Sequence, residues 1–182
     1  MMNLSKVVIL RDQLLCKSSG ISNMPGVYCW WFKRTVAESF VKKLSLNLCE
    51  ISKIQSRVIE GEEYWALYFG ISSDMLSRAK WHILQKHAVS AVKHGTLSTL
   101  RQTLSALLDR DMICSQEEVN ELMDDNCYWE WEYCENPKQR ERQELNSKLK
   151  CYPMNIQENR TISKEVITKL KKMRKERRVF EI

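Results

Sequence analysis

The apolar positions along the chain change period several times, and each change marks an element. Val27-Tyr-Cys-Trp-Trp-Phe32 is an unbroken apolar and aromatic run that follows Pro25-Gly26. Such a run predicts a strand covered on both faces. Tyr64 to Ile71 predicts a second strand. Helical spacing then takes over: Met75, Ala79 and Ile83 recur at four-residue steps and predict a helix from about Asp74 to Gln85. Between the two strands, Phe40, Val41 and Leu44 stripe a helix that Thr35 would cap and that runs to about Leu46. Residues 47–63 are polar, broken at Gly61, and predict a loop with one short element at most.

Further along, Leu100, Leu104, Leu107 and Leu108 stripe a helix from Thr99 to Leu108. Ser115-Gln-Glu-Glu118 has the form of a capping box opening a short helix to about Asp124. Cys127 to Cys134 alternates, with Tyr128, Glu130, Glu132 and Cys134 on one face and Cys127, Trp129, Trp131 and Tyr133 on the other, which predicts a half-exposed strand. Pro137 opens a helix to about Lys150, on which Glu141, Leu145 and Leu149 share a face. Val166, Ile167, Leu170 and Met173 stripe a last helix from Lys164 to Arg177. Residues 1–24 hold one apolar patch, Val7 to Leu10 continuing to Leu14 and Leu15, a short helix or strand. The order predicts a mixed α/β sandwich around a small sheet. One domain is expected over residues 1–182, with 1–24 as an N-terminal extension and 160–182 as a basic C-terminal helix.

Composition narrows the setting. No apolar run approaches the ~20 residues that span a bilayer. Val7 to Leu10, ended by Arg11 and Asp12, is too short for a signal peptide's core, so a cytoplasmic protein without membrane attachment is expected. The seven cysteines are scattered without a C-x-x-C pair, which favours free thiols over disulfides or a zinc site. The formal charge is +6, and the stretch from Lys150 to Ile182 carries ten Lys/Arg against four Glu, the whole excess. An anionic partner, most simply nucleic acid, fits that density. Trp30, Trp31, Trp129 and Trp131 could stack on bases but are expected in the core.

The candidate chemistry lies in a few spaced residues. Gly26-Val-Tyr28 begins the first strand and Tyr68-Phe-Gly70 ends the second. Arg78 and His82 follow on one helical face, Glu141 lies on a later helix, and Asn155 follows Pro153. In this order the residues resemble the GIY-YIG endonucleases, and a stand-alone prokaryotic branch in particular. Gly95-Thr-Leu-Ser-Thr-Leu-Arg-Gln-Thr-Leu104, Pro153-Met-Asn-Ile-Gln-Glu-Asn159 and Leu170-Lys-Lys-Met-Arg174 extend the likeness over roughly residues 24 to 178. The spacing departs from the family's tight hairpin: forty residues separate Tyr28 from Tyr68, so an insertion with a helix must lie between the strands.

The resemblance implies a small central antiparallel sheet flanked by helices and a metal-dependent DNA endonuclease. It implies a metal-binding glutamate, with Mg²⁺ or another divalent ion as cofactor. Glu141 is favoured for it, because it shares the face of Leu145 and Leu149, and Glu144 is the alternative. Arg78 would hold the scissile phosphate. Tyr28 would activate the water and Tyr68 orient it or the phosphate. His82 would assist, or simply pack on its helix. Gly70, Asn155, Lys171, Lys172 and Arg174 are expected on the DNA-binding side. Arg101, near a helix start, is either a phosphate contact or an ordinary surface arginine. Rival readings on the same fold are a non-catalytic nucleic-acid-binding module and a protein-interaction domain.

Overall fold

The computed structural model describes residues 2–157 and 159–179; Met1, Glu158 and residues 180–182, the end of the expected basic segment, lie outside the described residues. Five strands form one antiparallel sheet in the order β1-β5-β2-β4-β3. They are β1 (Asn3–Lys6), β2 (Gly26–Lys33), β3 (Ser56–Ile59), β4 (Glu62–Ser72) and β5 (Cys127–Tyr133). The helices are α1 (Val7–Leu15), α2 (Arg34–Leu44), α3 (Leu48–Ile51), α4 (Met75–Ile83), α5 (Val89–Lys93), α6 (Thr99–Leu107), α7 (Gln116–Asn126), α8 (Pro137–Leu145) and α9 (Lys164–Glu176). The expected α/β class with a small antiparallel sheet and flanking helices is what the chain adopts.

Strand β2 is the centre of the sheet, and its apolar run is buried on both faces. Alternation sends Tyr28, Trp30 and Phe32 into the larger core with α1, α2, α4, α6 and α9. Val27, Cys29 and Trp31 go to a smaller core on the opposite face, beneath Leu145 and Tyr152. We call these the front and back faces. All four candidate base-stacking tryptophans are buried, Trp30 and Trp129 completely.

Several expectations need correction. The N-terminal patch is both a strand and a helix: β1 pairs with β5, and Val7, Leu10 and Leu14 of α1 enter the main core. The 47–63 segment holds two elements, α3 and β3. Glu60 and Gly61, both at positive φ, form the two-residue turn joining β3 to β4. The helix at 34–44 begins at Arg34, without a side-chain cap from Thr35. Ser115 does not cap α7; its hydroxyl turns inward and donates to Ser105 Oγ at 2.8 Å. Strand β5 is not half-exposed, because β1 and β2 flank it and Tyr128 and Glu130 are buried on the back face. Helix α8 stops at Leu145 rather than 150, leaving Leu149 exposed. The short α5 lies in a stretch without apolar periodicity.

Candidate active site

Strands β2 and β4 run side by side with Tyr28 directly opposite Gly70. The Tyr28 ring lies across Gly70 on the front face. A Cβ at residue 70 would stand 2.5 Å from Tyr28 Cζ. Gly26 has a different constraint: a Cβ there would run into the Glu132 carbonyl oxygen on β5. Both glycines therefore mark close approaches, one by a side chain and one by backbone.

Asp74 begins α4 by accepting the Ser77 backbone N–H at 2.9 Å. That helix lays His82 against Tyr28, with the Tyr28 hydroxyl 2.8 Å from Nε2. His82 Nδ1 lies 2.7 Å from Ser98 Oγ, at the start of α6. The rings of Tyr28 and Tyr68 stack at 6.2 Å, and Tyr68's hydroxyl lies 3.2 Å from Thr99 Oγ1. Arg78 sits one turn before His82, its guanidinium 4.6 Å from the Trp81 ring centre. It borders an open recess with Ser72, Asp74 and Ser77.

The electrostatics draw these groups together. Burial pushes the Tyr28 phenol well above its usual range, and the neighbouring Tyr68 adds to the rise. The Arg78 charge opposes it, and Glu141 reinforces it. Tyr68, Arg78 and Glu141 therefore all act on one hydroxyl. Burial, then Arg78 and Arg101, holds His82 well below the ordinary histidine range, so its ring is neutral at pH 7.

Glu141 and Glu144 part company in space. Glu141 lines a groove with Tyr68, Thr99, Gln157 and Arg174. Glu144 lines a cavity of about 190 Å³ on the back face. Its carboxylate accepts from the Tyr152 hydroxyl at 2.8 Å and pairs with Lys150 at 2.6 Å. Leu149 lies outside the helix and cannot share a face with Glu141, but Leu145 does, and the groove contains Glu141. Among the described residues no three His, Cys, Asp or Glu side chains cluster to hold a metal. A lone carboxylate still fits Mg²⁺, which keeps several waters and takes one or two carboxylates together with substrate phosphates.

Two residues expected at the substrate are structural. Arg101 is fully buried. It donates to the His82 carbonyl at 2.6 Å, the Ile83 carbonyl at 2.5 Å and Asn120 Oδ1 at 2.8 Å, so it clamps the end of α4 and cannot meet a phosphate. Asn155 closes on the backbone of Phe69. It accepts from the Phe69 N–H at 2.9 Å and donates to the Phe69 carbonyl at 2.6 Å. With Met154 N–H on the Leu67 carbonyl at 3.0 Å, this segment covers the β4 edge that β3 is too short to reach. Asn155 thus holds Tyr68 and Gly70 in place.

On α9, Lys171 and Lys172 are exposed. Arg174 is half-buried, donates to Gln102 Oε1 at 2.7 Å, and is pushed down to about 10 by burial. Arg174 lies between the Glu141 groove and a second recess with Lys171, Lys175 and Arg178. Sequence reasoning missed Ser98, Thr99 and Trp81. A serine just before an apolar helical stripe, as at Ser98, is the N-cap signal that would have found the first.

Residues 26–176 match the family model of the GIY-YIG catalytic domain. Comparison of the chain with curated proteins and with solved structures gives no match.

Proposed function

The chain belongs to the GIY-YIG catalytic-domain family, a nuclease-type family, and from that premise we propose that it is a metal-dependent DNA endonuclease. The observation that carries the reading is the convergence of Tyr68, Arg78, His82 and Glu141 on the Tyr28 hydroxyl. Side chains of β4, α4 and α8 thus bear on one oxygen of β2, Tyr68, Arg78 and Glu141 electrostatically and His82 by a 2.8 Å hydrogen bond.

Phosphodiester hydrolysis needs an oriented water, a clamp on the phosphate oxygens and help for the leaving oxygen. Arg78, permanently charged and fork-shaped, holds the scissile phosphate, and its stacking on Trp81 limits the rotamers it can take. Tyr28 orients and polarises the attacking water through its hydroxyl, with its own oxygen held by His82. Tyr68, steadied by Thr99, fixes the water or the phosphate from the other side. Glu141 would hold Mg²⁺ or another divalent ion, which when bound supplies positive charge to the phosphate and the leaving group. Lys171, Lys172 and Arg174 hold the DNA backbone, a contact that is salt-sensitive and blind to sequence.

Incubating supercoiled plasmid with Mg²⁺ tests the reading. Wild type should nick it, and Arg78→Ala should be slower by about 10²–10³, as for loss of one transition-state contact. Binding without Mg²⁺-dependent nicking by wild type would identify a non-catalytic DNA-binding module instead.

A further inference from the structure

A buried chain of three side chains runs inward from the candidate site. The Tyr28 hydroxyl meets His82 Nε2 at 2.8 Å, and His82 Nδ1 meets Ser98 Oγ at 2.7 Å. His82 and Ser98 are fully buried. Ser98 is also the N-cap of α6, where its Oγ accepts the Arg101 backbone N–H at 3.4 Å. Its own backbone N–H is spent on Gln85 Oε1 at 2.7 Å.

Hydrogen accounting decides which way this chain points. The Ser98 hydroxyl has one hydrogen, and among the described residues His82 Nδ1 is the acceptor within its reach. If that hydrogen goes to Nδ1, Oγ keeps a lone pair for the Arg101 N–H, and the Tyr28 hydrogen, displaced from Nε2, turns to the neighbouring Tyr68, an alternative the Ser98 hydrogen lacks. If instead Nδ1 carried the hydrogen, two N–H groups would point at Oγ and the hydroxyl hydrogen would be stranded in a dry site. We infer that Ser98 is a positioning residue that fixes His82 as its Nε2–H tautomer, so that His82 donates to the Tyr28 oxygen rather than accepting the Tyr28 proton.

The catalytic meaning of this arrangement rests on the nuclease reading above. An N–H aimed at the Tyr28 oxygen stabilises it as it gains negative charge, and the phenol's own hydrogen is left to face Tyr68 and the water. His82 is then a fixed donor and not a store for protons. Arg101 supports the arrangement by gripping the His82 carbonyl, and Arg11 adds a hydrogen bond to the Ile83 carbonyl at 2.6 Å. His87 supplies the contrast. Its Nδ1 lies 2.6 Å from the Met112 carbonyl, which only accepts, and its Nε2 lies 3.2 Å from Arg101 Nη1, which only donates. His87 must therefore carry its hydrogen on Nδ1, the opposite tautomer.

Nitrogen-15 NMR of the histidine-labelled protein reads both rings, with His82→Gln and His87→Gln assigning the signals. The expected pattern is a protonated Nε2 for His82 and a protonated Nδ1 for His87. A protonated Nδ1 on His82 overturns the inference, and this needs only the wild-type chain. Ser98→Ala should lose the single-tautomer signature and about tenfold of the nicking rate, and Ser98→Thr should restore both. An unchanged His82 pattern in Ser98→Ala overturns the role of Ser98. The expected spectra with no nicking by wild type would sink the nuclease reading and leave the tautomer assignment standing.

Discussion

Replacing Gly70 by alanine should disable the site through one added methyl group. Gly70 does not have a positive φ, so alanine's backbone is at ease there and the cost is steric. The new Cβ would stand 2.5 Å from Tyr28 Cζ, whereas ordinary contact begins at 3.4 Å, so the ring must retreat by about 0.9 Å. The Tyr28–His82 hydrogen bond of 2.8 Å does not survive such a shift with good geometry. A displacement of ~1 Å of a reacting group costs on the order of 10²-fold in rate, and overpacking costs ~1–3 kcal/mol of stability. Gly61→Ala is the control. It sits at φ +84° with nothing within 4 Å, so it should lose ~1 kcal/mol to backbone strain and no activity. Mg²⁺-dependent nicking rates and thermal melts of both variants check this. Gly70→Ala nicking at the wild-type rate would refute the account of how Tyr28 is held.

The buried and exposed cations should separate cleanly. Arg101→Met leaves the His82 carbonyl and Asn120 Oδ1 without their donor and should lower stability by ~3 kcal/mol or more in urea melts. Lys171→Ala with Lys172→Ala should leave the melting temperature alone, weaken DNA binding, and reduce the slope of log K against log salt by about 2. Stability should also fall in acid: burial and Arg101 hold His87 down to about 4. The unfolded chain binds that proton near 6.5, so between those values stability drops as pH drops, by on the order of 3 kcal/mol for this group. Buried His82 acts in the same direction. Urea midpoints from pH 7 to pH 4 should show the slope, and His87→Gln should flatten it; an equally steep slope in that variant would contradict the assignment.

Much of the frame was legible because it is written in local patterns. The apolar run at 27–32 and the four-residue steps from Met75 predict β2 and α4 almost to their ends. Tyr28, Tyr68, Arg78 and His82 lie on those elements, so reading the elements read most of the cluster. What escaped depends on distant partners. Arg101 looks like any helix-start arginine, and only the carbonyls of α4, Asn120 and His87 show that it is buried and structural. Glu130 alternates as if exposed, but it is covered by Arg57, which reaches over from β3 to pair with it at 2.8 Å and stacks on Trp31 at 4.0 Å. Asn155 was placed at the right end of the site with the wrong task, because its partner is the backbone of a strand 86 residues earlier. The Glu141 choice came out on the groove side, although the helix ends before the Leu149 that supported it.

Single-turnover cleavage of an end-labelled DNA duplex by wild type, Glu141→Gln and Glu144→Gln, with Mg²⁺ and with chelator, bears most directly on the central claim. The account predicts cleavage by wild type and Glu144→Gln only when Mg²⁺ is present, a lower melting temperature for Glu144→Gln, and no cleavage by Glu141→Gln. Cleavage by Glu141→Gln at the wild-type rate, or by any of the three in chelator, would contradict it.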